Sequence, residues 1–154
     1  MNAAMTRKIL DEPLQPLVEG GYALRVVHTV GRRSRACRAT PLGVVQVDEL
    51  RYLVSPDRSR AWVRNLDAEP ACVLDPGDDA RTAVPAPPDQ AVPAIRAYLR
   101  SIRVPWALRA LPVGPDASPQ QVTAHLATIA VYRLDPATTG SPSPLGDAGA
   151  PVVT

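Results

Sequence analysis

Residues 22–54 read YALRVVHTVGRRSRACRATPLGVVQVDELRYLV, and this stretch decides the fold. Its first part, Ala23–Val30, is rich in β-branched residues and predicts a strand that ends at a glycine. Two further strands, Thr40–Val47 and Arg51–Val54, flank Asp48-Glu49 and predict a β-hairpin. Three short strands in succession indicate a sheet built from neighbours along the chain.

The rest of the chain continues this pattern of short strands with helices between them. After the third strand, Ser55–Ser59 predicts a turn whose last serine caps a helix that begins at Arg60 and stops before Pro70. The further predicted elements are strands Cys72–Leu74 and Arg81–Val84 around the turn Asp75–Asp79, a helix over Asp89–Ile102, a helical turn capped by Ser118, and a last strand Thr128–Leu134.

Composition supports a mainly β architecture with added helices. The chain has 154 residues, of which 45% are hydrophobic and 21% charged, enough for one packed domain. Its 18 prolines and nine glycines argue against a helical bundle, because both residues weaken helix interiors. We therefore predict a small split or closed antiparallel β-barrel with short helical excursions over residues 23–134. Residues 1–22 form an N-terminal segment with room for a short helix, and residues 135–154 a disordered tail.

Two observations bear on the compartment. The longest apolar run has four residues, so no membrane-spanning helix is expected, and the N-terminus has no apolar signal segment. Cys37 and Cys72 match no metal-binding spacing and no disulfide framework. We expect a cytoplasmic protein without a metal site.

Charge is distributed unevenly along the chain. The net charge is only +2, yet Tyr22–Leu66 holds nine arginines and three acidic residues, a local balance of +6. This balance predicts a site for an anionic small molecule and not a general nucleic-acid coating. Within it, Gly31–Arg38 combines a glycine turn with forked guanidinium donors, which suit a phosphate or carboxylate. The alternative is a solvated basic loop.

A second segment, Tyr52–Leu66, delivers a Ser-Pro turn to a helix N-terminus, whose free N–H groups can also receive an anion. Within this segment Trp62, taken alone, is better explained as a core anchor than as a ligand contact. The sequence shows no catalytic acid–base set. His28 and His125 are interpreted as structural, and the candidate proton donors are Tyr22, Tyr52, Tyr98 and Tyr132. The candidate nucleophiles lack a visible His–acid partnership, which disfavours a hydrolase; they are Ser34, Ser55, Ser59 and Cys37.

These two segments together resemble the deazaflavin-dependent nitroreductase/quinone reductase family of actinobacteria, whose members are split barrels. The family's first motif, Thr-x-Gly-Arg-Lys/Arg-Ser/Thr-Gly-x-x-Arg-x-x-Pro-Leu, is matched at Thr29, Gly31, Arg32, Arg33, Ser34, Arg38, Pro41 and Leu42. Its second motif is matched at Tyr52–Pro56 and Trp62–Leu66. The chain departs from the pattern where Arg35 replaces a glycine and where Asp57-Arg58 replaces Arg-Gly.

The resemblance implies a deazaflavin cofactor, coenzyme F-420, which carries a negatively charged tail of phosphate and glutamates. The residues that it assigns to the cofactor are Arg32, Arg33, Ser34, Arg38, Pro41, Ser55, Pro56, Trp62 and Asn65. It implies an oxidoreductase that delivers hydride to a quinone, activated enone, nitroaromatic or natural-product intermediate, and that acts as a homodimer. Two alternatives remain: an enzyme of this fold that binds flavin mononucleotide (FMN), and a non-redox protein that binds anionic small molecules.

Overall fold

Six strands and four helices make up the part of the chain described by a computed structural model, residues 2–102, 109 and 111–137. The strands are β1 (Tyr22–Val30), β2 (Cys37–Val47), β3 (Leu50–Ser55), β4 (Ala71–Asp75), β5 (Asp79–Pro85) and β6 (Ala130–Pro136). The helices are α1 (Asn2–Asp11), α2 (Ala61–Ala68), α3 (Pro88–Ser101) and α4 (Pro119–Thr123).

The strands form a closed antiparallel barrel in the order β1-β2-β3-β6-β5-β4, closed by pairing of β4 with β1. The antiparallel barrel with helical excursions is therefore confirmed. The longest ladder joins β1 and β2, from Tyr22 opposite Val45 to Val30 opposite Cys37. Strand β2 begins at Cys37 and not at Thr40, because the first three residues of β2 also pair with β1. This extension brings the arginine-rich turn to the end of the ladder.

The tight turn between β2 and β3 is stabilised by Glu19, a residue outside the hairpin. Asp48 and Glu49 both have positive φ, 52° and 67°, as a two-residue hairpin loop requires. The carboxylate of Glu19 accepts the backbone N–H groups of both residues, at 2.8 Å for Glu49. These hydrogen bonds hold the pKa of Glu19 below its usual range, that from Glu49 most strongly.

The barrel interior is a hydrophobic cluster to which all six strands contribute. Val44, Leu53 and Leu74 are among its fully buried members. Helix α2 adds Trp62 and Leu66 to the same cluster, so this helix packs into the interior. Such packing fixes the rotation of α2, and that rotation decides which of its polar residues face the turn between β1 and β2.

Helix α3 packs on the outside of the barrel. Its apolar stripe joins strand residues of the opposite face and residues of α4 in a second cluster; its members include Val45, Tyr52, Val54, Ala94, Ile95, Leu99, Val122 and Val131. Adjacent strand residues such as Val44 and Val45 therefore belong to different clusters, as the two-residue period of a strand requires. Helix α4 begins with the expected Ser118 cap, and Gln121 completes a capping box.

The start of α2 differs from the prediction. Ser59 does not cap this helix: its hydroxyl donates to the Asp57 carboxylate at 2.7 Å, and Arg60 occupies the N-cap position without a side-chain cap. Asp57 also accepts the Ser59 N–H at 2.8 Å, which closes an Asx turn. This local turn takes the serine hydroxyl that the helix would otherwise use, and it holds the pKa of Asp57 low.

Strand β6 runs two residues further than expected. Asp135 and Pro136 pair with Thr82 and Arg81 of β5, and the Arg133 guanidinium donates to the Asp135 carboxylate at 2.7 Å. The strand thus includes the first two residues that we assigned to the C-terminal tail. Residues 138–154 of that tail lie outside the described part of the chain. The predicted division at residues 22 and 134 stays a prediction.

Candidate functional site

The turn between β1 and β2 is built by its own backbone and by one serine. The Gly31 N–H donates to the Ala36 carbonyl at 2.7 Å, and the Arg35 N–H donates to the Gly31 carbonyl at 2.8 Å. The Ser34 hydroxyl accepts the Ala36 N–H at 3.2 Å and the Arg38 guanidinium at 3.3 Å. A Cβ on Gly31 would lie 2.7 Å from the Ser34 oxygen, so a larger residue there would open the turn.

Arg35 occupies the position in this turn where the family pattern has glycine. Its φ is +62°, in the left-handed region that favours glycine and penalises a Cβ. The turn keeps the backbone shape that glycine would give, although the side chain strains it. The substitution therefore changes the stability of the turn more than its geometry.

We expect Arg35→Gly to raise the free energy of unfolding by about 0.5–1 kcal/mol, because relief of left-handed strain exceeds the added entropy of the unfolded chain. Urea unfolding measures the gain. Arg35→Ala is the matched control, since it removes the guanidinium that lies 4.0 Å from Glu69 but keeps the Cβ. An equal gain in both variants would assign the effect to charge and not to the backbone.

Asn65 of α2 fastens this turn to the barrel. Its side-chain oxygen accepts the backbone N–H of Arg32 at 3.1 Å and the Arg32 guanidinium at 3.4 Å. Its amide nitrogen donates to the Thr29 hydroxyl at 3.4 Å, and both side chains are buried. The packing of α2 into the barrel thus fixes the position of the first arginine of the turn.

An open cleft of about 580 Å³ lies between this turn, the start of β2 and α2. We call it the arginine cleft; its lining residues are Gly31, Arg32, Arg33, Ser34, Cys37, Arg38, Ala39, Thr40, Ala61, Trp62 and Asn65. Six of the nine residues that the sequence assigned to the cofactor line it: Arg32, Arg33, Ser34, Arg38, Trp62 and Asn65. The spacing of the two motifs along the chain therefore corresponds to one place in space.

The arginine cleft carries uncompensated positive charge. Its lining, as far as the chain is described, contains three arginines and no aspartate or glutamate. Desolvation lowers the pKa of Arg32, and the nearby charges of Arg64 and Arg33 lower it further. Arg33 itself is exposed and makes no hydrogen bond or ion pair with the described residues. Arginines that repel one another in this way favour an anion between them.

Trp62 adds an unused donor to the same wall. Its ring is 5% exposed and lies 6.2 Å from the ring of Tyr132. The indole N–H is buried and has no hydrogen-bond partner among the described residues. Buried donors are normally paired, so an unpaired donor in a residue that lines the cleft fits a ligand that brings an acceptor. The donors of the cleft therefore fit a cofactor that carries phosphate and carboxylate groups.

The other three assigned residues lie elsewhere. Pro41 sits within β2 opposite Val26 and does not line the arginine cleft. Ser55 and Pro56 are buried at the end of β3. The Ser55 hydroxyl donates to the Asp57 carbonyl at 2.8 Å and accepts the Asp57 N–H at 3.2 Å, so it is used within its own turn. The structure thus does not bring these three residues to the cleft.

The second departure from the family pattern, Asp57-Arg58, has no backbone cost, since neither residue has a positive φ. The Arg58 guanidinium donates to the carbonyls of Leu126 and Ala127 at 2.8 and 3.0 Å, and its backbone N–H reaches the Thr128 carbonyl at 3.2 Å. Arg58 therefore ties the turn before α2 to the segment before β6.

The candidate tyrosines do not line the arginine cleft. The Tyr132 hydroxyl contacts the Asp67 carboxylate and the Val63 carbonyl, and burial raises its pKa well above the usual range. The rings of Tyr22 and Tyr98 meet edge to face at 6.3 Å. Burial also raises the pKa of Tyr52. None of the four is placed as a proton donor at the cleft.

Two features were not assigned to a site from the sequence. Arg64 is exposed on α2, and its charge acts on Arg32 because α2 brings its first turns to the β1–β2 connection. The second feature is a chain of contacts from Cys37 through His28 to Asp75, where the sequence showed no His–acid partnership. Cys37 and His28 lie on the paired strands β2 and β1, and closure of the barrel by β4 brings Asp75 to His28.

The structure describes no helix long and apolar enough to cross a membrane. In the same residues no group of three or more histidine, cysteine, aspartate or glutamate side chains could hold a metal ion. A small antiparallel barrel with a cationic cleft has the architecture and charge to receive an anionic small molecule. Residues 12–112 match the model of the F420H(2)-dependent quinone reductase family, about two thirds of the chain. The chain belongs to this family, whose description names reduced coenzyme F-420 as the reductant.

Solved structures share the fold at low sequence identity. Protein Atu2129, of unknown function, from Agrobacterium tumefaciens strain C58 has 15% identity and a TM-score of 0.51, over 79% of this chain and 54% of that chain. A heme binding protein from Mycobacterium smegmatis has 15% identity and a TM-score of 0.50, over 72% of this chain and 45% of that chain. This chain thus spans about half the length of both proteins.

An F420-H2 dependent reductase has 22% identity and a TM-score of 0.47, over 79% of this chain and 99% of that chain. The comparison with curated proteins gave no significant match.

Proposed function

We propose that this protein transfers hydride from reduced coenzyme F-420 to a quinone. The observation that carries the proposal is the arginine cleft, where unpaired positive charge and a free indole donor stand together in a member of a deazaflavin-dependent family. When bound, the cofactor supplies the hydride, and the protein supplies position and electrostatics. The acceptor is taken from the family description, and an activated enone, a nitroaromatic or a natural-product intermediate is tested beside it.

Each of four residues of the arginine cleft makes a different contact with this cofactor. Arg33 has its full donor set free and receives the anionic tail, while Arg32 is fixed by Asn65 and presents its remaining donors. Arg38, held over the turn by Ser34, adds charge on the β2 side. Trp62 offers its indole N–H to an acceptor of the cofactor. Each of these contacts is a charge-assisted or buried hydrogen bond, the kind that contributes most to affinity.

The proposed reaction is tested by following the oxidation of reduced coenzyme F-420 with the purified full-length protein. We expect turnover with menadione, a simple naphthoquinone, and slower turnover with a cyclohexenone and a nitroaromatic compound. Reduced FMN in place of the deazaflavin should be oxidised no faster with the protein than without it. Tight binding of coenzyme F-420 without turnover of any acceptor would contradict the reductase and support a non-redox binding protein.

We expect coenzyme F-420 to bind at least about tenfold more tightly than FMN, because its longer anionic tail can engage more of the arginines. Fluorescence titration of both cofactors in one buffer measures the ratio. Riboflavin, which lacks phosphate, is the matched control and should bind most weakly. Equal affinity for FMN and coenzyme F-420 would argue that the cleft does not receive the tail.

We propose further that the protein is a cytoplasmic homodimer. Cys37 and Cys72 are both free thiols, which suits a reducing compartment. The barrel is closed, so a dimer would form through side chains and not through pairing of sheet edges. Analytical ultracentrifugation at several concentrations tests the oligomeric state.

A further inference from the structure

Three polar side chains form a continuous chain beside the arginine cleft. The Cys37 Sγ lies 3.7 Å from the His28 Nδ1, and the His28 Nε2 lies 2.8 Å from the Asp75 Oδ2. The other Asp75 oxygen accepts the Asp78 N–H at 2.9 Å, which fixes the carboxylate. This is the geometry of a nucleophile, a base and a residue that orients the base.

The proton positions follow from these contacts. A carboxylate is an acceptor, so the His28 Nε2 carries the proton that it donates to Asp75. The Nδ1 is then the acceptor and faces the Cys37 thiol. His28 is thereby held in the tautomer that can take the thiol proton. The sequence placed His28 as a structural residue of an apolar strand; its side chain is instead only partly buried, 23% exposed.

We propose that Cys37, His28 and Asp75 form a nucleophilic thiol site that is alkylated by electron-poor alkenes such as quinones and enones. Cys37 is exposed and lines the arginine cleft, so an electrophile in that cleft can reach its sulfur. Addition of a thiol to a carbonyl-conjugated carbon places negative charge on the carbonyl oxygen. Arg33 and Arg38 line the same cleft and favour that charge, which selects conjugated carbonyl compounds.

The reaction needs no cofactor and no further oxidant. The sulfur forms a bond to the quinone carbon, and its proton passes to the His28 Nδ1 and then to one quinone oxygen. The hydrogen on the attacked carbon moves to the second oxygen. The product is a thioether-substituted hydroquinone, in which the quinone ring is reduced and its attacked carbon oxidised. The site therefore does not rest on the proposed reduction by coenzyme F-420.

His28 is essential to this chemistry because the thiol is not ionised by its surroundings. Partial desolvation of the thiol and, to a smaller degree, the Asp75 carboxylate raise the pKa of Cys37. The titratable and charged groups around the sulfur are the neutral His28 on β1, the Asp75 carboxylate on β4, and the arginines of the turn and of β2. Proton transfer to His28 as the bond forms is then the route to reaction at neutral pH.

Cys72 provides an internal control in the same chain. It is 1% exposed, and burial raises the pKa of its thiol to about 12. We expect 1,4-benzoquinone at equimolar amount to modify Cys37 and to leave Cys72 free, as read by peptide mapping of the full-length protein. Modification of both cysteines at equal rates, or of neither, would contradict the site.

The role of His28 is tested with iodoacetamide, which forms the thioether with loss of iodide. At about pH 7, His28→Gln should slow alkylation of Cys37 about a hundredfold, and Asp75→Asn should slow it less. At about pH 10 both differences should largely disappear, because the thiolate then forms without a base. Circular dichroism of each variant at both pH values checks that it is folded, because an unfolded chain would also lose the base.

The unmodified protein gives an independent measurement. At about pH 7 the folded chain should react with iodoacetamide at Cys37 faster than the same chain unfolded in urea, because only the folded chain holds the base at the thiol. Slower reaction in the folded chain would overturn the proposal, since it is the result expected for a thiol whose pKa is raised and which has no base.

Discussion

Replacing Arg33 with alanine is expected to weaken binding of coenzyme F-420 by about ten- to a hundredfold. A charge-assisted arginine contact with an oxyanion contributes about 1.5–3 kcal/mol, and Arg33 has no partner among the described residues that would compete for it. The affinity of the variant should also fall less steeply with added salt, because one screened interaction has been removed. Fluorescence titrations over a series of salt concentrations measure both effects.

The matched control for this substitution is Arg7→Ala. Arg7 is also an exposed arginine, but it lies on α1 and does not line the arginine cleft. Both variants lose one positive charge, so a general effect of net charge would appear in both. Unchanged affinity of Arg33→Ala across the salt series, or an equal loss in Arg7→Ala, would remove Arg33 from the binding site. Thermal melting should be unaffected in either variant, because both side chains are solvated.

The barrel was predictable from the sequence because its strands are encoded locally. Runs such as Ala23–Val30 and the pair around Asp48-Glu49 show β-branched residues and turns at short range. Strands that follow one another along the chain pair in four of the six ladders, and the other two ladders are β1-β4 and β3-β6. The prediction that failed at Ser59 also concerned local chemistry. The Ser59 hydroxyl could either cap α2 or bond to the Asp57 carboxylate, and in the structure it bonds to Asp57.

The arginine cleft was predictable in part. Its charge is visible as the run after Gly31, and the resemblance supplied Trp62 and Asn65 from the second motif. Ser55 was expected at the site, but a buried hydroxyl that bonds within its own turn cannot be distinguished in sequence from one that faces a ligand. Arg64 was missed because its place depends on the rotation of α2, which the barrel interior determines.

The chain from Cys37 to Asp75 could not be predicted from spacing. His28 and Asp75 are 47 residues apart and meet only because β4 pairs with β1 when the barrel closes. Cys37 reaches His28 because β2 begins three residues earlier than its apolar pattern indicates. His28 was a possible sequence signal for this site, because it is a polar residue within an apolar strand. A histidine in such a place is usually explained by packing alone.

Substitutions of Asn65 distinguish the contribution of this residue to stability from its contribution to cofactor binding. Asn65→Ala is expected to lower the free energy of unfolding by about 1–3 kcal/mol, because it leaves a backbone N–H of Arg32 and a buried hydroxyl of Thr29 without partners. In a domain of this size that corresponds to a fall in melting temperature of roughly 2–4 °C for each kcal/mol. Thermal melting and urea unfolding provide the measurement.

Asn65→Asp keeps the shape of the side chain and separates the two roles. A carboxylate still accepts the Arg32 N–H, and the Thr29 hydroxyl can donate to it, so the melting temperature should stay closer to that of the wild type than in Asn65→Ala. Its charge, however, pairs with the Arg32 guanidinium and repels an anionic ligand. We expect coenzyme F-420 to bind about ten- to a hundredfold more weakly, the loss of one charge-assisted contact. If this variant instead binds the cofactor as tightly as the wild type, the anionic tail does not lie against Arg32. The positive charge beside Arg32 then does not contribute to binding of the cofactor.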